Sequence, residues 1–221
     1  MTRRARLIIE YGLIWLGLPA ALAISRLWFD WPLIPALWAM ALIFTIVLLF
    51  DRSFDRRQLW NRKPVRSHIG PILLRWALIS PVIFVAAWWL TPDLFLGFVR
   101  ERPRIWAIVM VAYPIASVYP QGIIYRAFML HRYRSLGRQG TVIVLAALAF
   151  AWTHVVFWNF VAPSLTLVGG VLFARTHLRS QSLLTSSIEH ALYGCVVFTA
   201  GWGHFIFHGS IDAVRTALGI Q

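Results

Sequence analysis

The chain has 221 residues, 59% of them hydrophobic and only 13% charged, with a formal net charge of +13 and a mean hydropathy of +0.69. That balance lies outside the range of soluble domains and identifies an integral membrane protein. The positive charge does not mark a nucleic-acid binder, because the basic residues are spread over several loops at span ends and form no single basic face.

A hydrocarbon core about 30 Å thick needs roughly 20 apolar residues per crossing helix. Apolar runs of that length predict helices at 7–29, 31–50, 71–90, 105–130, 141–158, 159–175 and 183–200, with a shorter, weaker one from 202 to about 218. The expected architecture is all-α, a polytopic transmembrane bundle of seven to eight helices forming one domain over 1–221. The runs are too long, and alternate too little, for barrel strands. Arg3, Arg4 and Arg6, the following apolar run and Ala21-Leu22-Ala23 resemble a secretory signal with a cleavage site. We read a retained first helix instead, because Glu10 interrupts the run early and the apolar stretch continues to Trp28 and Phe29. Cys195, the single cysteine, cannot form an intrachain disulfide and reads as a packing residue.

Basic residues set the orientation. Arg3, Arg4 and Arg6, then Arg52, Arg56, Arg57, Arg62, Lys63 and Arg66, then Arg132, Arg134 and Arg138, then Arg175 and Arg179 all fall on one side if each run crosses once. The other side has Arg26 and the cluster Arg100, Arg102 and Arg104, diluted by Asp93 and Glu101. The positive-inside rule makes the first side cytoplasmic, including the N-terminus. Short loops and the absence of eukaryotic targeting signals point to a bacterial or archaeal plasma membrane, the inner membrane where there are two. Trp28, Trp31, Trp60, Trp88, Trp89, Trp106 and Trp158 lie near span ends and read as headgroup-level anchors.

Three polar clusters interrupt the apolar runs. Tyr119-Pro120-Gln121-Gly122-Ile123-Ile124-Tyr125-Arg126 is followed by Phe128. Phe150-Ala151-Trp152-Thr153-His154 follows, and then Glu189-His190-Ala191-Leu192-Tyr193-Gly194. Residues four apart share a helix face, which places Gly122 over Arg126, Phe150 over His154 and His190 over Gly194. Gln121, His154 and His190 also fall at comparable depth from the inner boundary, so the spacing predicts one shared polar hollow. Pro114 and Pro120 should disrupt the fourth span just before Gln121, freeing carbonyls towards that hollow.

In order and spacing these clusters resemble the CPBP family, which includes the CAAX prenyl proteases and bacteriocin-processing or self-immunity membrane proteins. That family carries Glu-Glu-x-x-x-Arg, Phe-x-x-x-His and His-x-x-x-Asn on separate helices. The resemblance covers roughly 70 to 210, with 71–210 as the catalytic-core region, and implies an intramembrane endopeptidase acting on a membrane-associated polypeptide. It implies that a glutamate of the first motif activates water, while the histidines and the asparagine position that water or stabilise the oxyanion. A zinc-dependent description has also been used for the family, and His154 and His190 are the candidate ligands it would leave here.

The carried-over site is Gln121, Gly122, Arg126, His154, His190 and Gly194, and it departs from the family at the glutamates and the asparagine. An amide cannot take a proton from water at neutral pH, and glycine offers no side chain. The resemblance therefore implies a catalytically impaired member, either naturally degenerate or an inactivated sequence. Glu189 is the candidate substitute acid, although it points about 100° away from His190 around a regular helix; the simpler reading makes it a partner of Arg75 or Arg126. His204 and His208 have the spacing of a two-ligand zinc face but no third ligand, and read as an interfacial pair. His131 and His177 read as headgroup contacts, and Ser186, Ser187, Gly169 and Gly170 as small residues for close helix packing. Two other function classes stay open: a non-catalytic binding or immunity protein on the same fold, and a small transporter using Arg75, Arg126 and Glu189.

Overall fold

The computed structural model describes residues 1–207, together with Asp212 and Thr216. Among the described residues it is helical throughout, and seven helices are long and apolar enough to cross a membrane. These are α1 (Arg3–Ser25), α2 (Leu33–Phe50), α3 (Lys63–Leu90), α4 (Pro103–Arg132), α5 (Gln139–Phe157), α6 (Val161–Ser180) and α7 (Leu183–Ala200). Each expected span from the first to the seventh is present. The eighth starts with a short helix, Gly203–Phe207, and the remainder of 202–218, with His208, lies largely outside the described residues.

Burial ranks the helices. In α7, 67% of the apolar window is buried, against 11% in α2 and in α3, so α7 is the centre of the bundle and the other two form its rim. The outward faces of α2 and α3 carry exposed Leu42, Ile43, Leu74, Leu78 and Val82, which suits a lipid surface and would be costly in water. Inside, Trp15 of α1, Phe44 of α2 and Phe128 of α4 form an aromatic core, with Phe44 and Phe128 stacked at 4.1 Å. The first helix is joined to this core by more than packing. Tyr11 donates to the carbonyl of Leu145, Trp152 donates to that of Leu16, and Glu10 pairs with Arg132 at 2.5 Å.

The prolines of α4 act as the sequence predicts, with a different destination for the freed carbonyls. The helix winds into π turns at Pro114–Val118 and again at Ile123–Phe128. A proline at position i cannot donate to the carbonyl at i−4. The carbonyl left by Pro120 is Ala116, which accepts the Trp38 indole of α2 at 3.0 Å; that left by Pro114 is Met110, which has the Cys195 thiol of α7 at 3.9 Å. The breaks therefore tie α4 to its neighbours instead of opening carbonyls to a hollow.

Loop contacts sort the two ends of the bundle. At one end Arg134 donates to Ser53, His131 meets Asp51 at 2.9 Å and Ser182 donates to the Asn61 carbonyl. These bonds bring the basic segments 51–66, 132–138 and 175–182 to the same side, as the charge pattern requires. At the other end Arg26 donates to the Val156 carbonyl and Trp158 to that of Ala23. There Leu96 also donates to the Ala200 carbonyl. Gly201 closes α7 with φ of +106°, and a side chain on it would strike the Leu94 carbonyl, so this turn needs glycine. Trp28, Trp31, Trp60, Trp88 and Trp89 are exposed as anchors should be. Trp106 and Trp158 serve a structural purpose too, each donating a hydrogen bond within the bundle.

Candidate functional site

Helices α4, α5, α6 and α7 bring Arg126, His154 and His190 around two phenylalanine rings. Arg126 is 2% exposed, and its guanidinium lies 4.8 Å from the Phe150 ring centroid and 5.0 Å from that of Phe173. Phe150 also meets His154 edge-on at 4.7 Å and His190 at 5.7 Å. Phe173 stacks on His190 at 4.6 Å with 24° between the planes. The α6 residue Phe173 had no polar signature to mark it in the sequence, yet it forms one wall of the cluster.

Each imidazole is oriented by a specific partner. His154 Nδ1 donates to the Phe150 carbonyl at 2.7 Å, the i−4 bond available because the regular helix ends at Thr153 and tightens over His154–Phe157. That bond leaves Nε2 as the acceptor face of a neutral ring. His190 Nε2 hydrogen-bonds the Tyr113 hydroxyl at 3.3 Å, while its Nδ1 has no partner among the described residues.

Gly122 faces α7. A Cβ there would stand 2.8 Å from Leu183 Cδ1 and 3.1 Å from Ser187 Oγ, both ends of side chains that can rotate. Gln121 points along its own helix and donates to Ser117 at 2.7 Å, leaving its Oε1 without a partner among the described residues. Gly194 lies under the Tyr113 ring, where a Cβ would come within 2.6 Å of Tyr113 Cζ and nearer still to the hydroxyl. Tyr113 thus fills the space a side chain at 194 would need, and it presents a hydroxyl to His190 in place of an amide. The sequence reading missed Tyr113, because it precedes the first motif by two turns and lies in an ordinary apolar run.

Glu189 is fully buried and its hydrogen bonds run to α3, while its charge also acts on Arg126 through space. Its Oε1 accepts two bonds from Arg75 of α3, at 2.7 and 3.1 Å, and Arg75 also reaches Thr176 at 3.4 Å. The expected structural partnership is therefore with Arg75. Its other oxygen, Oε2, has no hydrogen-bond partner among the described residues. Two histidines depart from their expected surface roles: His177 is 2% exposed, and His131 is held by Asp51 and Arg134. Gly170 does allow the close approach foreseen for it, since a Cβ would stand 2.9 Å from Ala147 Cα of α5. Gly169 meets only Phe173 of its own helix.

The donor set does not suit zinc. Structural and catalytic zinc sites need three or four nitrogen, sulfur or carboxylate ligands, and no three His, Cys, Asp or Glu side chains gather for a metal among the described residues. The neighbour shared by His154 and His190 is a guanidinium, a poor companion for a dication.

No curated protein and no solved structure matches this chain. A family match comes from the segment that builds the cluster: residues 103–196, from the start of α4 to the fourth turn of α7, match the Rce1-like family, type II CAAX prenyl endopeptidase.

Proposed function

We propose that the chain is a CAAX-protease-like intramembrane endopeptidase of low turnover, a single membrane domain with its basic end and N-terminus in the cytoplasm of a plasma membrane. Its substrate is a membrane-associated polypeptide whose scissile bond reaches the cluster beside Gln121. The observation that carries this reading is the convergence of Arg126, His154 and His190 on Phe150, from three separate helices.

Chemically, His154 Nε2 is suited to accepting from and so orienting a water, and the His190–Tyr113 pair to donating to a developing oxyanion. A carboxylate general base is what the site lacks. Gln121 and Gly122 offer none, and Glu189 is committed to Arg75 through one oxygen. Loss of a general base commonly removes a factor of about 10² to 10⁴, which is the scale of the proposed impairment.

The test is cleavage of a membrane-anchored peptide in liposomes. Gly122→Glu should raise the rate by roughly 10² to 10⁴, and His154→Ala in that background should abolish the gain. If neither Gly122→Glu nor Gln121→Glu yields any product from folded protein, the lost-base account fails.

A second reading, a non-catalytic binding or immunity protein, draws support from Tyr113 standing over Gly194. It predicts that His154→Ala and His190→Ala leave the biological phenotype intact, while larger side chains at 122 or 194 abolish it.

A further inference from the structure

The polar groups at the α4–α7 seam are mismatched in charge. Arg75, Arg126 and Glu189 bring two cations and one anion into the membrane interior, and the anion bonds to Arg75. The Arg126 guanidinium lies against the Phe150 and Phe173 faces; the Glu189 charge acts on it only through space, and its Nη1 and Nη2 make no hydrogen bond to any described residue. Aromatic faces offset part of a cation's desolvation; they accept none of its N–H bonds.

Other donors without partners lie along the same seam. Ser187 Oγ and His190 Nδ1 make no hydrogen bond to any described residue. Ser187 packs on Gly122, Gly122 is one turn before Arg126, and His190 is one turn after Ser187. Phe173 contacts Arg126 and His190 together. A guanidinium fork, a hydroxyl and an imidazole nitrogen therefore border one short stretch of α4 against α7, at a position where this chain has no side chain.

We infer that Arg126, Ser187 and His190 form a binding site for a carboxylate supplied from outside the chain, lodged beside Gly122 against the Arg126 fork. A carboxylate is planar and matches the guanidinium bidentately, and its single charge neutralises the cluster, whereas a phosphate would overshoot. Room is made by moving the ends of Leu183 and Ser187, not backbone. The carboxylate can belong to a small free acid or to the C-terminus of a polypeptide. The inference uses the same cluster as the proposed protease-like site, but its test reads binding and not cleavage, so either can fail while the other stands.

The experiment measures the unfolding temperature of the full chain in detergent, with sodium acetate or sodium chloride at equal ionic strength. A short peptide with a free C-terminal carboxylate, and the same peptide amidated, form a second pair of arms. Acetate should give a saturable rise beyond that in chloride if the source is a small acid. The free-acid peptide should outdo its amide if the source is a chain terminus. Arg126→Met should remove either response. Gly122→Glu, which supplies a carboxylate within the chain, should raise the unfolding temperature without ligand and also remove the response. No carboxylate-specific shift in the wild-type chain, or a full response retained in Gly122→Glu, overturns the proposal; the second variant keeps the test decisive if Arg126→Met does not fold.

Discussion

Tyr113 and Gly194 are a complementary pair: the phenol ring of α4 lies in the volume that any side chain at 194 of α7 would occupy, with its hydroxyl on His190. A residue larger than glycine at 194 must displace an aromatic ring inside a packed bundle. Gly194→Asn should therefore destabilise by about 1–3 kcal/mol, the usual scale of overpacking. Tyr113→Ala combined with Gly194→Asn should recover part of that loss, so a double-mutant cycle in thermal unfolding should show positive coupling. Strict additivity of the two changes would mean the ring and the glycine are independent.

The Arg75–Glu189 pair makes a sharper energetic prediction. Glu189 is fully buried and its partner's side chain is 35% exposed, on a helix facing lipid. Arg75→Met strands a buried carboxylate and should cost about 3–5 kcal/mol, while replacing both residues with methionine should cost far less. Chemical unfolding in mixed micelles can rank the variants. A double mutant as unstable as Arg75→Met alone would rule out a stranded charge as the cause.

Asp51 predicts an acid dependence confined to the basic end of the bundle. Hydrogen bonds from Ser53, then His131, hold its carboxyl well below the ordinary carboxylate range. A depressed folded-state value means that the contribution is fully present above the unfolded value, near 3.8, and is lost as the pH falls through the folded one. Unfolding temperature should thus drop below about pH 4 in the wild type, and Asp51→Asn should flatten that part of the profile. An unchanged acid limb in Asp51→Asn would assign the loss to other carboxylates.

Tyr133 links α1 to the end of α4 through two bonds at once. Its hydroxyl accepts from the Trp15 indole at 2.8 Å and donates to Glu10 at 3.0 Å. Burial pushes the phenol's proton affinity up, which favours this neutral donor-acceptor role. Tyr133→Phe leaves the buried Trp15 N–H without an acceptor and should cost about 1–3 kcal/mol. Trp15→Phe in the same background should then cost less than it does alone, measurable by a second cycle.

Much of the membrane architecture was legible in the residues. Seven apolar runs became seven helices because a bilayer leaves no alternative for an unbroken apolar segment of that length. The loop charges placed the basic segments at one end, and the i to i+4 spacings put Arg126, His154 and His190 on inward faces. Pro114 and Pro120 foretold the irregular winding of α4. They did not foretell that Trp38 and Cys195 would take the freed carbonyls, since donors on other helices leave no mark on the local sequence.

The sequence by itself determined the membrane fold, the order of its spans and the absence of glutamate and asparagine at positions 121, 122 and 194, for these follow from local composition and spacing. Only the tertiary structure decided that Glu189 bonds to Arg75, that Tyr113 fills the space above Gly194, and that Phe150 and Phe173 enclose the Arg126 guanidinium. Those relationships join residues up to 114 positions apart. They depend on which faces of neighbouring helices meet, and helix packing, not local sequence pattern, sets that.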